Sequence, residues 1–261
     1  MKPFKTLEEQ ISHLEKNKSI IFDDKSSAAK YLLDENYFNV ISCGKIKFAD
    51  KIEKSCHKYF PHKFEDWTNY FELDCLVSEF LMSGMIEFER IINSRLSYFC
   101  CELIEGGKLQ PEKRNSLIKE FQRIEVRNLP KYQGKETWKY VTKMSFGDVR
   151  EILYWLIENQ KSYYRKVVDG FGFIGSVKDF SAIKSTKNKL YDIVVLRNCL
   201  FHFTPLSIFL GHSKRRDGIY DNRFRKTVID FIYRFNEKSD LGDELNEIYL
   251  SSDHFVAIKN D

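Results

Sequence analysis

Residues 65–104 read EDWTNYFELDCLVSEFLMSGMIEFERIINSRLSYFCCELI. Apolar residues recur through this stretch at three- and four-residue steps, from Trp67, Phe71, Leu73 and Leu76 through Phe80, Leu81, Ile86 and Phe88 to Ile91, Ile92, Leu96 and Phe99. That period is the helical one, and its length predicts a helix longer than most in globular proteins. Gly84 stands inside the run and marks either a break or a close helix contact; Gly106-Gly107 ends it. A chain organised around such a segment is expected to be all-α.

The flanking sequence fits that plan. Thr6 with Glu9 three residues later forms a capping box for a helix over 6–17, with Leu7, Ile11 and Leu14 on one face. A second helix is predicted from Ser26 to Glu35. Tyr37 to Phe48 alternates loosely and contains Gly44, so it reads as extended or loop. Residues 50–60 read as helical, with Pro61 ending them. Downstream, helices are predicted over 112–125, 146–169, 180–202 and 222–235, with loops at Pro130–Gly134 and at Gly170, Gly172 and Gly175. The last of these helices is basic, with Phe224, Val228, Phe231, Ile232 and Phe235 facing inward. The expected organisation is an N-terminal helical or irregular region over 1–62, followed by a helical domain with a C-terminal extension over 63–261, the two forming one compact unit. No repeat of 20–50 residues and no low-complexity linker divides the chain.

The whole chain has 261 residues, 43% hydrophobic and 31% charged, enough apolar content for a sizeable core. Its 12 Gly and 5 Pro are few for a turn-rich sandwich or barrel. The opening MKPFKTLEEQ has no apolar leader, and no apolar run reaches the ~18 residues of a membrane span. A cytoplasmic location with no membrane partner is therefore expected, and the six cysteines are expected to be reduced thiols. There is no CxxC pair, and the six histidines are scattered. No Walker A, GxGxxG, HExxH or GxSxG motif occurs, so neither a metal nor a cofactor is expected.

Net charge is only +4, but it is unevenly distributed. Residues 108–143 carry +6, residues 184–234 carry +7, and residues 63–90 carry −5. The plain explanation is solvated helix faces; the sharper one is a phosphate-binding surface. On the sharper view Lys184, Lys187, Lys189, Lys214, Arg215, Arg216, Arg223 and Arg225, with Arg127 and Lys131, contact RNA. Tyr132, Trp138, Tyr140, Tyr220 and Phe224 are interleaved with them, as stacking platforms or as core.

One segment carries chemistry: Leu196-Arg197-Asn198-Cys199-Leu200-Phe201-His202. Asn198 and His202 are four apart and share a helix face, while Arg197 lies about 140° from His202 around an ideal helix. RNA cleavage needs a proton taken from a 2′-hydroxyl, charge stabilised on a phosphorane, and a proton given to the leaving 5′ oxygen. Histidine transfers protons near neutral pH, and arginine offers a permanent charge with forked donors. Asparagine orients the imidazole or donates to phosphate. With 13 Arg and 6 His, the bare Arg–x4–His spacing arises by chance about 0.3 times in this composition. Requiring Asn beside the Arg lowers that to about 0.02, since the chain has 14 Asn. Arg127-Asn128 is a second Arg-Asn pair, but Tyr132 stands where its His would be.

Several blocks in order carry a wider likeness: Lys2-Pro3 with Thr6-Leu7-Glu8-Glu9-Gln10-Ile11; Leu32 with Asn36-Tyr37-Phe38; Glu65-Asp66 with Tyr70-Phe71-Glu72-Leu73-Asp74; Phe88-Glu89-Arg90 with Ser94 and Leu96–Phe99; Phe146-Gly147; and Arg197-Asn198 with His202 and Pro205-Leu206. On these the sequence resembles the Abi-like family of bacterial abortive-infection proteins, the AbiD/AbiF group, over residues 2–209. It departs at Phe201, where the family usually has Ala, and at Phe203, where a second His is common. The resemblance implies a HEPN-like helical bundle and a metal-independent endoribonuclease. It implies Arg197, Asn198 and His202 as catalytic residues and Glu89 as a supporting one. It also implies a homodimer in which two such motifs meet, in anti-phage defence as a toxin held by an antitoxin such as a small inhibitory RNA. Two alternatives stand beside this expectation: a non-catalytic RNA-binding defence module that holds a structured small RNA, and a helical protein-interaction subunit.

Overall fold

The computed structural model describes residues 5–45, 47–52, 57–175, 177–210 and 223–235. The described chain is mostly helical, as the periodicity predicts. In order it runs α1 (Leu7–Lys18), β1 (Ile20–Ile21), α2 (Lys25–Asp34), α3 (Tyr37–Gly44), β2 (Ala49–Ile52), β3 (His57–Tyr59), β4 (His62–Lys63) and the long α4 (Phe64–Ile104). Then follow α5 (Pro111–Arg123), α6 (Thr137–Val141), α7 (Phe146–Asn159), α8 (Lys161–Val167), a 3-10 turn (Gly172–Ile174), α9 (Phe180–Phe201), α10 (Leu206–Leu210) and α11 (Arg223–Phe235).

The chain divides into two compact units. Among the described residues, the first takes those up to Leu81 together with Asn198–Leu210 and 223–225; the second takes Met82–Arg197 and Lys226–Phe235. The division therefore falls inside α4 and near the end of α9, and not at residues 62/63. The physical reason is that the first half of α4 supplies core to the N-terminal elements: Trp67 and Phe71 are buried with Leu14, Leu32 and Val40.

In the first unit Thr6 caps α1 as its sequence signature predicts, with both reciprocal bonds of the capping box made. Tyr37–Gly44 is a helix and not the extended or loop segment expected. The Asn36 side chain accepts the Phe38 N–H at 2.9 Å and starts it, and Val40 and Ile41 are buried. Gly44 serves close packing: a Cβ there would lie 2.7 Å from the Trp67 ring. Of the helix expected over 50–60, the described residues 50–52 and 57–60 are not helical either. β2 and β3 pair antiparallel, with a register irregularity between Ala49 and Lys51, and β1 pairs in parallel with β4. Tyr59 is thereby buried 5.8 Å from the Trp67 ring, while the Lys18 ammonium donates to its hydroxyl at 3.0 Å. Tertiary burial of one aromatic outweighs a weak local helical preference there.

The second unit is built on Phe88. Its ring meets those of Phe146, Phe171, Phe173 and Phe231 at centroid distances of 5.0–6.2 Å. Much of the aromatic content is thus core. α4 passes through Gly84 without a break, and the glycine there serves a close contact: a Cβ would lie 2.7 Å from Cγ of Phe235. The predicted helix over 146–169 is two helices. Gln160 leaves helical geometry, and the Asn159 amide donates to the Trp155 carbonyl at 3.0 Å, a local bond that competes with helix continuation. α11 buries Phe224, Val228, Phe231 and Ile232 as its spacing predicts.

Candidate functional site at the end of helix α9

The Arg-Asn-x-x-x-His segment forms the end of α9, with His202 just past its last residue. Arg197 belongs to the second unit and faces α4 there: its Nε donates to Glu89 Oε1 at 2.9 Å across 108 residues of sequence. The two side chains are 26% and 17% exposed, so the pair is partly screened from water but still open to it. A carboxylate on Nε restricts rotation of the guanidinium plane.

Asn198 and His202 belong to the first unit, and both are exposed. The end of the helix is a Schellman motif. The Thr204 N–H bonds the Cys199 carbonyl at 2.9 Å, and the Phe203 N–H reaches that of Leu200 at 3.5 Å. His202 is the C-cap, and Phe203 occupies the next position in the left-handed region, at φ +51°.

The backbone beyond is pinned. Asn39 of α3 donates to the Phe203 carbonyl at 3.4 Å. Asp74, only 1% exposed, accepts the N–H groups of Leu206 and Ser207 at 2.9 and 2.8 Å. The Ser207 hydroxyl donates to Cys43 Sγ at 2.9 Å. Each charge-assisted bond of this type contributes about 1.5–3 kcal/mol. This role for Asp74 is absent from the sequence reading, although a signal was there. Asp74 lies on the buried stripe of α4, between Phe71 and Val77, where a carboxylate needs an internal partner.

The thiols nearby are structural. Burial, and then the charge of Asp74, pushes the Cys199 thiol up to about 12 and raises that of Cys43 well above the ordinary thiol range. Neither is poised as a nucleophile. Among the described residues no group of three His, Cys, Asp or Glu side chains is placed to hold a metal ion, and no helix is long and apolar enough to cross a membrane.

The proposed RNA contacts separate into several groups. Lys184 is exposed on α9. Lys187 is spent on Glu158 and lies over the Tyr154 ring at 5.1 Å. Lys189, 17% exposed, is tied to Asp230 of α11 and to the Phe173 carbonyl. Lys187 thus sits in a surface ion pair, and Lys189 makes its contacts within the second unit, so a phosphate would have to compete with these partners for either charge. Arg127 and Lys131 are exposed and line a hollow of about 570 Å³ with Gln122, Val126 and Pro130. Arg223 and Arg225 lie in α11, and their side chains are not described; Lys214, Arg215, Arg216 and Tyr220 fall outside the described residues. Of the interleaved aromatics among the described residues, Tyr132, Tyr140 and Phe224 are core, and only Trp138 is exposed to solvent. Tyr132 is buried because its hydroxyl bonds Thr137 Oγ1 at 2.6 Å, and Thr137 in turn donates to Glu105.

Comparison with known protein families, with curated proteins and with solved structures finds no match to this chain.

Proposed function

We propose that the chain is a HEPN-like, metal-independent endoribonuclease of the abortive-infection type, acting as a homodimer. The observation that carries this is the pairing of Glu89 with Arg197 at 2.9 Å, one helical turn before an exposed His202. A partly buried carboxylate that orients an arginine, five residues along the chain from an accessible imidazole, is useful for handling a phosphate.

In the reaction, the 2′ oxygen of one nucleotide attacks the adjoining phosphorus as its proton is removed. The bond from phosphorus to the 5′ oxygen breaks, and that oxygen takes up a proton. The products are a 2′,3′-cyclic phosphate and a 5′-hydroxyl. His202 transfers the proton, and a second copy supplies its own His202 for the other half of the exchange. Arg197 meets the charge that develops on the non-bridging oxygens, and Asn198 orients the imidazole. Proton transfer by a placed side chain is worth about 10²–10⁴ in rate. His202→Ala should therefore lower RNA cleavage by at least about 100-fold, with the remaining ends read as 5′-hydroxyl. Cleavage by purified His202→Ala at the wild-type rate, or cleavage abolished by excess chelator, sinks the assignment.

The exposed Arg127 and Lys131 around one hollow favour a second reading, a module that holds structured RNA without cutting it. On that reading RNA is retained through purification in wild type and His202→Ala alike, and no new 5′-hydroxyl ends arise.

A further inference from the structure

Phe203 is difficult to explain by folding. Its φ of +51° lies in the left-handed region, where a bulky L-residue is disfavoured and glycine is the usual occupant at this point of a Schellman motif. Its ring is 78% exposed, so little burial offsets the strain. The strain is nevertheless held in place: Leu200 and Asn39 bond its peptide groups, and Asp74 anchors the two residues beyond Pro205. A costly conformation that its surroundings over-determine is an indication of function. What it achieves is to present an aromatic ring to solvent at the residue next to His202.

We propose that Phe203 is a base-stacking residue, its ring receiving an unpaired RNA base beside the phosphate that His202 addresses; this rests on the ribonuclease reading above. An aromatic face is sequence-tolerant because every base has a π-surface, and such stacking changes affinity by about 5- to 150-fold per base. The substrate class is accordingly single-stranded or looped RNA, because a base paired within a duplex is not available to stack on a side chain.

The test uses the full chain and a 2′-O-methyl oligoadenylate, which binds but cannot be cut. Phe203→Gly keeps the left-handed backbone without strain and removes the ring. It should weaken oligoadenylate binding by about 10-fold without lowering Tm. An abasic oligonucleotide of equal length should bind wild type and Phe203→Gly alike, since only phosphates are contacted. Phe203→Trp should retain affinity, and its emission should be quenched by oligoadenylate beyond the response of the three native tryptophans. Phe180, 83% exposed at the opposite end of α9, is the control: Phe180→Ala should bind as wild type does. Equal oligoadenylate affinity of wild type and Phe203→Gly, or an unquenched Phe203→Trp, overturns the proposal. So does a changed oligomeric state of Phe203→Gly with oligonucleotide binding unaltered, which would make the ring a protein contact. If cleavage is lost in His202→Ala while Phe203→Gly binds normally, stacking alone fails. If His202→Ala still cleaves, the ribonuclease reading fails, and the quenching and abasic results decide stacking by themselves.

Discussion

An arginine whose Nε is engaged by a carboxylate 2.9 Å away presents its charge in one plane. On the proposed mechanism Glu89 is a positioning residue. Glu89→Gln should lower kcat by about 10- to 100-fold, the scale of small misplacements in an active site, with KM little changed. Its effect on stability should be small, about 2–4 °C in Tm, because both side chains remain open to water. Arg197→Lys should lose activity to a similar degree, since an ammonium cannot keep one donor on Glu89 and a fork toward phosphate. Cleavage kinetics alongside thermal melts separate the two effects; a large fall in Tm with kcat intact would make the pair structural. Both residues stand in blocks that the sequence reading singled out. Their contact was not legible, because 108 residues intervene and each alone looks like an ordinary helix charge.

Among the elements, α4 tests whether close packing or propensity governs its one glycine. Alanine in place of Gly84 gains about 1 kcal/mol of helix propensity. The added Cβ, however, meets Phe235 Cγ at 2.7 Å and Cδ2 at 2.9 Å, and overpacking of a core costs about 1–3 kcal/mol. Gly84→Ala should therefore destabilise by up to about 2 kcal/mol in urea unfolding, with Phe235→Leu in the same chain restoring part of it. A stabilised Gly84→Ala would mean that propensity outweighs the clash. The stripe from Trp67 to Phe99 was readable because helical period is a local property. α3 was not readable, because Val40 and Ile41 resemble strand residues until Trp67 is seen against Gly44. The antiparallel pairing of β2 with β3 is not legible for the same reason: Tyr59 is drawn to the Trp67 ring, a partner that no short window of local sequence contains.

For the molecule as a whole, the uneven charge is less available than the sequence sums suggest. The stretch of +7 over 184–234, a sum that already sets Asp230 against Lys189, includes Lys187 and Arg197, which pair with Glu158 and Glu89 outside it. The stretch over 108–143 keeps Arg127 and Lys131 exposed around a common hollow. Each phosphate contact on single-stranded nucleic acid adds about 0.7 to the slope of log affinity against log salt. Replacing both residues by Ala should therefore reduce that slope by about 1.4 if both touch phosphate, as read by titration across salt concentrations. An unchanged slope would leave the hollow without a role in binding.

Local spacing and capping settle the all-α class, the limits of α1, α9 and α11 and the identity of the Arg-Asn-x-x-x-His segment, because each depends on residues within a few turns of one another. Folding alone decides that Glu89 meets Arg197, that Asp74 holds the chain beyond Pro205, that Lys189 is an internal tie, and that Phe203 stands strained and exposed beside His202. Those outcomes depend on which distant groups share a desolvated space, and charge and hydrogen-bond partners are chosen there by proximity in three dimensions and not by sequence spacing.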